Sequence, residues 1–251
     1  MKRVMILSLV LALVLAFGGL AAAAPVKSVM VTDVGGLGDQ SFNDAAWRGL
    51  CRAEEELGVS VGVVESSMMT DYEPNLSNLA ESGADLIWAV GFLMTDAVDN
   101  IAPLYPNIRF GLIDAVVDHP NVASFTFKDH EASYLAGVFA ALWTKTGKIG
   151  FIGGMDVPVI ERFEVGFRAG VRDTNPDAEI LIGYAGNFND PGKGKELALT
   201  QYNQGADIIY HAAGATGLGL IEAAKETDKF AIGVDSDQTV LDPEHVVASM
   251  L

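Results

Sequence analysis

Cysteine is almost missing from this chain: Cys51 is the only one. A single thiol excludes an internal disulfide. Its place inside a predicted helix reads most simply as a small buried apolar residue. Basic side chains are scarce as well. Lys and Arg number 16 against 33 Asp and Glu, a formal net charge of −17. Such a balance argues against nucleic acid and anionic membrane surfaces as partners. It says nothing positive about a ligand, because an acidic surface also keeps an exported protein soluble. The histidines, His119, His130, His211 and His245, are scattered, and none pairs at metal-ligand spacing. Asp235-Ser236-Asp237-Gln238 lacks the rest of a calcium loop. Gly35-Gly36-Leu37-Gly38 and Gly214-Ala215-Thr216-Gly217-Leu218-Gly219 both miss the dinucleotide-loop spacing. No nucleophile elbow and no defensible cysteine–histidine pair occurs. The sequence therefore leads us to expect no cofactor, no metal and no catalytic residue.

At the N-terminus there is an export address. Lys2 and Arg3 precede an apolar run from Val4 to Leu20, and Ala22, Ala23 and Ala24 follow as small residues. This is the layout of a secretory signal peptide over 1–24, with cleavage expected after Ala24. The alternative, an uncleaved anchor, fits the short apolar stretch less well. No cysteine stands at the end of the segment to receive a lipid, so a freely diffusing periplasmic protein is expected.

Beyond it, short apolar runs alternate with amphipathic stretches. Strands are expected at Ser28–Thr32, Val59–Val64, Asp85–Val90, Ile108–Ile113, Val122–Phe127, Lys148–Ile152, Glu179–Tyr184, Asp207–His211 and Phe230–Val234. They are continuous and apolar, as buried parallel strands are. Helices are expected at Ser41–Leu57, Asp71–Ser82, His130–Lys145, Val157–Thr174, Pro191–Gln204 and Gly217–Glu226. Ser41 is the expected cap of the first. The phrases Gly83-Ala84-Asp85 and Gly205-Ala206-Asp207 both read as helix stop and strand start, hinting at two similar halves. Strand–helix alternation of this kind predicts an α/β protein with parallel sheets covered on both faces. Nine such strands suit two doubly wound lobes joined by a hinge, 25–127 and 128–251. A further strand reads at His245–Leu251 and the pattern stops there, so a C-terminal continuation is expected.

Ligands of open α/β sheets sit beyond the carboxyl ends of the strands. The residues there are Asp33, Gly91, Asp114, Gly153–Gly154, Gly186–Phe188, Gly214 and Asp235. A buried carboxylate needs hydrogen-bond donors. Asp33, Asp114 and Asp235 are thus either turn formers satisfied by backbone or acceptors for a polar, uncharged ligand. Phe42 at a helix entry packs into the core or offers a stacking face. Phe188 lies in a loop, where a core role is harder to argue. One such ring from each lobe could sandwich a planar base.

The stretch Val31-Thr32-Asp33-Val34-Gly35-Gly36-Leu37-Gly38-Asp39-Gln40-Ser41-Phe42-Asn43 resembles the N-terminal signature of the basic membrane protein family, the PnrA-like lipoproteins. The likeness continues through Gly111–Asp114, Glu131–Gly137, Gly150–Gly154, Gly205–Ile209 and Gly233–Gln238. It implies a periplasmic-binding-protein type I fold with ligand clamped between lobes. In the family's nucleoside-binding members two rings hold the purine; they match Phe42 and Phe188. The base- and ribose-contacting residues match Asp33, Asn43, Asp114 and Asp235, with a backbone contact near Gly214. Asn43 is expected to serve a purine edge as both donor and acceptor. A ribose-contacting lysine of the family falls beyond Leu251. The implied partners are a purine nucleoside and an inner-membrane ABC permease, with the receptor a monomer. Alternatives are a receptor for a free purine base or another flat solute, a nucleoside hydrolase using the same carboxylates, and a sensor presenting ligand to a membrane kinase.

Overall fold

A computed structural model describes residues 24–251; the expected signal segment lies outside the described residues but for Ala24. Parallel strands need crossovers, and the chain supplies a helix for nearly every one. In order they are β1 Lys27–Val31, α1 Phe42–Leu57, β2 Ser60–Val64, α2 Tyr72–Glu81, β3 Leu86–Val90, α3 Thr95–Ile101, β4 Arg109–Ile113 and β5 Val122–Phe125. Then come α4 Asp129–Trp143, β6 Lys148–Gly153, α5 Pro158–Thr174, β7 Glu179–Tyr184, α6 Pro191–Asn203, β8 Ile208–Ala212, α7 Gly217–Thr227, β9 Phe230–Val234 and β10 Val246–Met250. Two five-stranded sheets result, ordered β2-β1-β3-β4-β5 and β7-β6-β8-β9-β10, with every pairing parallel. The expected fold class, two doubly wound α/β lobes, is what the chain forms.

The two sheets have the same strand order, and the repeated Gly-Ala-Asp phrases occupy equivalent places. Gly83 and Gly205 both take left-handed backbone, φ 79° and 101°, and stop α2 and α6. Asp85 then donates its N–H to Lys27 of β1, and Asp207 donates to Lys148 of β6. Each sheet is buried on both sides. In the first lobe Met30, Leu50 and Val90 pack under α1, while Val31, Leu76, Ile87 and Leu112 pack under α2 and α3. In the second, Phe151, Phe167 and Tyr210 meet α4 and α5, and Ile152, Ile209 and Leu220 meet α6 and α7.

Three local expectations are corrected. Helix α3 was not expected; at seven residues it is too short for its periodicity to stand out between the apolar strands around it. Strand β5 ends at Phe125 rather than Phe127, and Phe127 is exposed where the chain crosses to the second lobe. Ser41 does not cap α1. That work falls to Asp39, whose carboxylate accepts the N–H groups of Ser41, Asn43 and Asp44 at 2.9, 2.8 and 3.1 Å. Three bonds from a charged acceptor at a helix N-terminus outcompete one from a hydroxyl.

Candidate functional site

The carboxyl ends of both sheets face one cleft of about 600 Å³, including its open mouth. Asp33, Phe42, Asn43 and Asp114 line it from the first lobe, and Phe188, Gly214 and Asp235 from the second. The seven expected ligand residues are thus brought together, with Gly91 beside them, whereas Gly153, Gly154 and Gly186 do not line the cleft. Equivalent positions serve equivalent ends: Asp114 follows β4 and donates its N–H to Phe125 of β5, while Asp235 follows β9 and donates to Met250 of β10. Both take left-handed backbone, φ 69° and 63°, which non-glycine residues seldom adopt. Gly91 after β3 and Gly214 after β8 have φ of 116° and 55°.

The aromatic rings differ in their support. Phe42 opens α1 and packs, half-buried, against the Met30, Leu50 and Val90 cluster while also facing the cleft. Phe188, for which a core role was harder to argue from its place in a loop, is half-buried against the second lobe's core. A methyl group on Gly154 would collide with its ring, so the glycine after β6 is what lets Phe188 lie down there.

The polar groups form a connected set. Asn43 gives its amide hydrogens to Asp33 Oδ1 at 2.8 Å and Asp39 Oδ2 at 3.1 Å. Both donors are committed, so Asn43 is not the donor-and-acceptor group expected from its residue type. Its Oδ1 is buried without a partner, an acceptor only. Asp33 Oδ1 also accepts the N–H of Gly35 at 2.8 Å. Asp235 accepts the Ser41 hydroxyl across the cleft at 2.5 Å. Among the described residues no side-chain or backbone donor reaches the Asp114 carboxylate.

Burial, and after it the neighbouring charges, shifts the titration of these acids. Burial pushes Asp33 up, against the pull of its bonds to Asn43 and Gly35. Asp114 is pushed up to about 7 by burial, then by the charges of Asp129 and Asp235, with Arg162 opposing. Asp235 is pushed up to about 6 by burial, partly offset by Ser41, with Asp39, Asp129 and Asp33 adding. No lysine or arginine lines this part of the cleft among the described residues; Lys128 lines the adjoining space that shares Asp114 and Asp235 with it. The cleft's side chains offer acceptors on apolar walls, an arrangement suited to a neutral molecule rich in N–H and O–H groups.

Some lining residues were not expected. Phe92 and Leu93 form the turn after β3, and Val159, Ile160 and Phe163 come from the first turns of α5. The strand-end rule pointed to Gly91 and Gly153–Gly154 beside them, but their own apolar character reads only as core. Asp39, which anchors Asn43, was not singled out in the sequence either.

The family model described as Bmp, ABC transporter substrate-binding protein PnrA-like, matches residues 26–251. The CD4+ T-cell-stimulating antigen of Listeria monocytogenes is 41% identical over 222 residues, covering 83% of this chain and 62% of that protein. The ABC transporter nucleoside-binding protein BmpA of Lactococcus lactis subsp. cremoris is 42% identical over 228 residues, covering 86% of this chain and 65% of its own length. The chain thus spans less than two thirds of these curated relatives. A solved structure of ABC transporter system solute-binding proteins from Aeropyrum pernix K1 superimposes with a TM-score of 0.85 at 38% identity, over 90% of this chain and 66% of that one.

Proposed function

Because the chain belongs to the Bmp family of PnrA-like ABC transporter substrate-binding proteins, we propose that it is an extracytoplasmic receptor that captures a purine nucleoside and delivers it to an ABC permease. What carries this reading is a cleft lined from both lobes by a ring, Phe42 or Phe188, and by acceptors left without enough donors. A relative's name, nucleoside-binding protein, points the same way. Phe42 and Phe188 take the two faces of the base by stacking. Asn43 Oδ1 and Asp33 accept from N–H groups on its edge, and Asp114 and Asp235 accept from ribose hydroxyls, with Gly214 giving close backbone approach. The lobes are 25–127 and 128–251, and segment 1–24 directs export. Among the described residues no helix is long and apolar enough to cross a membrane.

The role is capture without turnover. Calorimetric titration with guanosine, adenosine and inosine tests it, with micromolar or tighter binding expected for at least one. Absence of binding by all three would overturn the nucleoside assignment. Release of free base from inosine during incubation would overturn the receptor assignment in favour of a hydrolase.

A further inference from the structure

Gln40 and Gln238 lie in the signature stretches, are not among the proposed ligand residues, and meet across the lobes. Gln238 Nε2 donates to the Gln40 carbonyl at 3.1 Å. Each partner is held by bonds within its own lobe. Gln238 is wholly buried, and its Oε1 accepts the backbone N–H of Val234 at 3.1 Å. A backbone N–H can only donate, so this bond identifies the oxygen and turns the NH₂ toward the first lobe. His211 Nε2 lies 2.8 Å from the same oxygen. That nitrogen must therefore carry the proton, and Nδ1, buried without a partner, stays bare. Burial holds the His211 pKa down to about 4, keeping the ring neutral. Gly217 clears the space for the ring, since a methyl group there would collide with it. On the other lobe, Gln40 has left-handed backbone, φ 53°. Asp44 pins that turn by accepting the N–H groups of Gly38 and Gln40, both at 2.9 Å.

We propose that Gln238 is a closure latch, with His211 and Asp44 as the positioning residues that aim its amide and the Gln40 carbonyl at one another. Among the other cross-lobe bonds, Arg48 to Ser236 at 2.7 Å and Asn189 to the Val34 carbonyl at 3.0 Å use exposed side chains that water can replace, Ser236 Oγ reaches the Ser41 carbonyl at a long 3.3 Å, and the Ser41 hydroxyl meets Asp235 inside the cleft, at a carboxylate the proposed ligand competes for. The Gln238 bond is buried on one side and preorganised on both, so little ordering is lost when it forms. It biases the lobes toward closure and slows release of whatever is held.

Gln238→Glu keeps an acceptor for Val234 and His211 but has no hydrogen for Gln40. Asp44→Ala attacks the latch from the other lobe and from the surface. Small-angle X-ray scattering on ligand-free protein should show a larger radius of gyration for both variants, with circular dichroism unchanged. Guanosine release by stopped flow should quicken roughly 3- to 10-fold, with little change in association. Should Gln238→Glu fail to fold, Asp44→Ala decides alone. Scattering profiles indistinguishable from the parent's would overturn the latch. The release measurement rests on the nucleoside reading and the scattering does not: a parent that scatters as expected but ignores guanosine sinks that reading and leaves the latch standing.

Discussion

Asp114 combines a strained left-handed backbone with a carboxylate that faces Asp129 and Asp235 and receives no donor from the described residues. Such strain persists where the surroundings enforce it, commonly at functional sites. With its pKa pushed up to about 7, folded Asp114 keeps a proton that the unfolded chain has released from about pH 4 upward. Stability therefore falls as pH rises through that window, and the penalty is complete above it. Asn tolerates the same backbone and carries no charge. Asp114→Asn should raise the thermal midpoint of the ligand-free protein at pH 8, with the gain shrinking toward pH 5. A gain independent of pH would show that Asp114 is not the group that titrates. The variant should also bind guanosine more weakly, since an amide oxygen accepts less strongly than a carboxylate. Asp114 was singled out in the sequence from its place after an apolar strand. Its strain was not, because φ follows from the close of β4 against β5 rather than from residue type.

Helix α1 shows how an element aims a site. Asp39 holds three backbone N–H groups of its first turn and one amide hydrogen of Asn43, and is itself buried. Removing it leaves these donors unsatisfied and frees Asn43 to turn. Asp39→Ala should destabilise by about 2–3 kcal/mol, the range for bonds to a buried charge, and should weaken guanosine although Asp39 makes no proposed contact with it. Urea unfolding and calorimetry check the two effects; a loss of stability with unchanged affinity would place Asp39 outside the site's support. At this scale the sequence was readable where periodicity runs long, as in α1, α5 and α6, and where glycine stops a helix, as at Gly58, whose φ is 68°. It was unreadable where several groups compete for one role. Ser41 looks like a cap, but Asp39 outbids it and leaves its hydroxyl free for Asp235. Asn43 looks like a two-way reader until both its hydrogens are taken.

Across the whole molecule, the alternation of strands and helices was enough to give two lobes, because crossover helices leave parallel sheets few other arrangements. The electrostatic character of the cleft follows from that assembly and from no single residue. Asp33, Asp39 and Asp114 come from one lobe and Asp235 from the other, and closure places them around one space without a lysine or arginine among the described lining. A phosphate entering there would leave water to face these like charges. Complementarity of this kind acts chiefly by rejecting the wrong partner, at several kcal/mol for like-charge contact. Guanosine 5′-monophosphate should therefore bind at least about 100-fold more weakly than guanosine at neutral pH, a conservative share of that penalty. The gap should narrow toward pH 5, where Asp114 and Asp235, pushed up to about 7 and about 6, take up protons. Calorimetry of both ligands at pH 8 and pH 5 reads this directly. Equal affinity at pH 8 would mean that the phosphate stays in solvent at the mouth, and that the acids do not enclose the ribose end of the ligand.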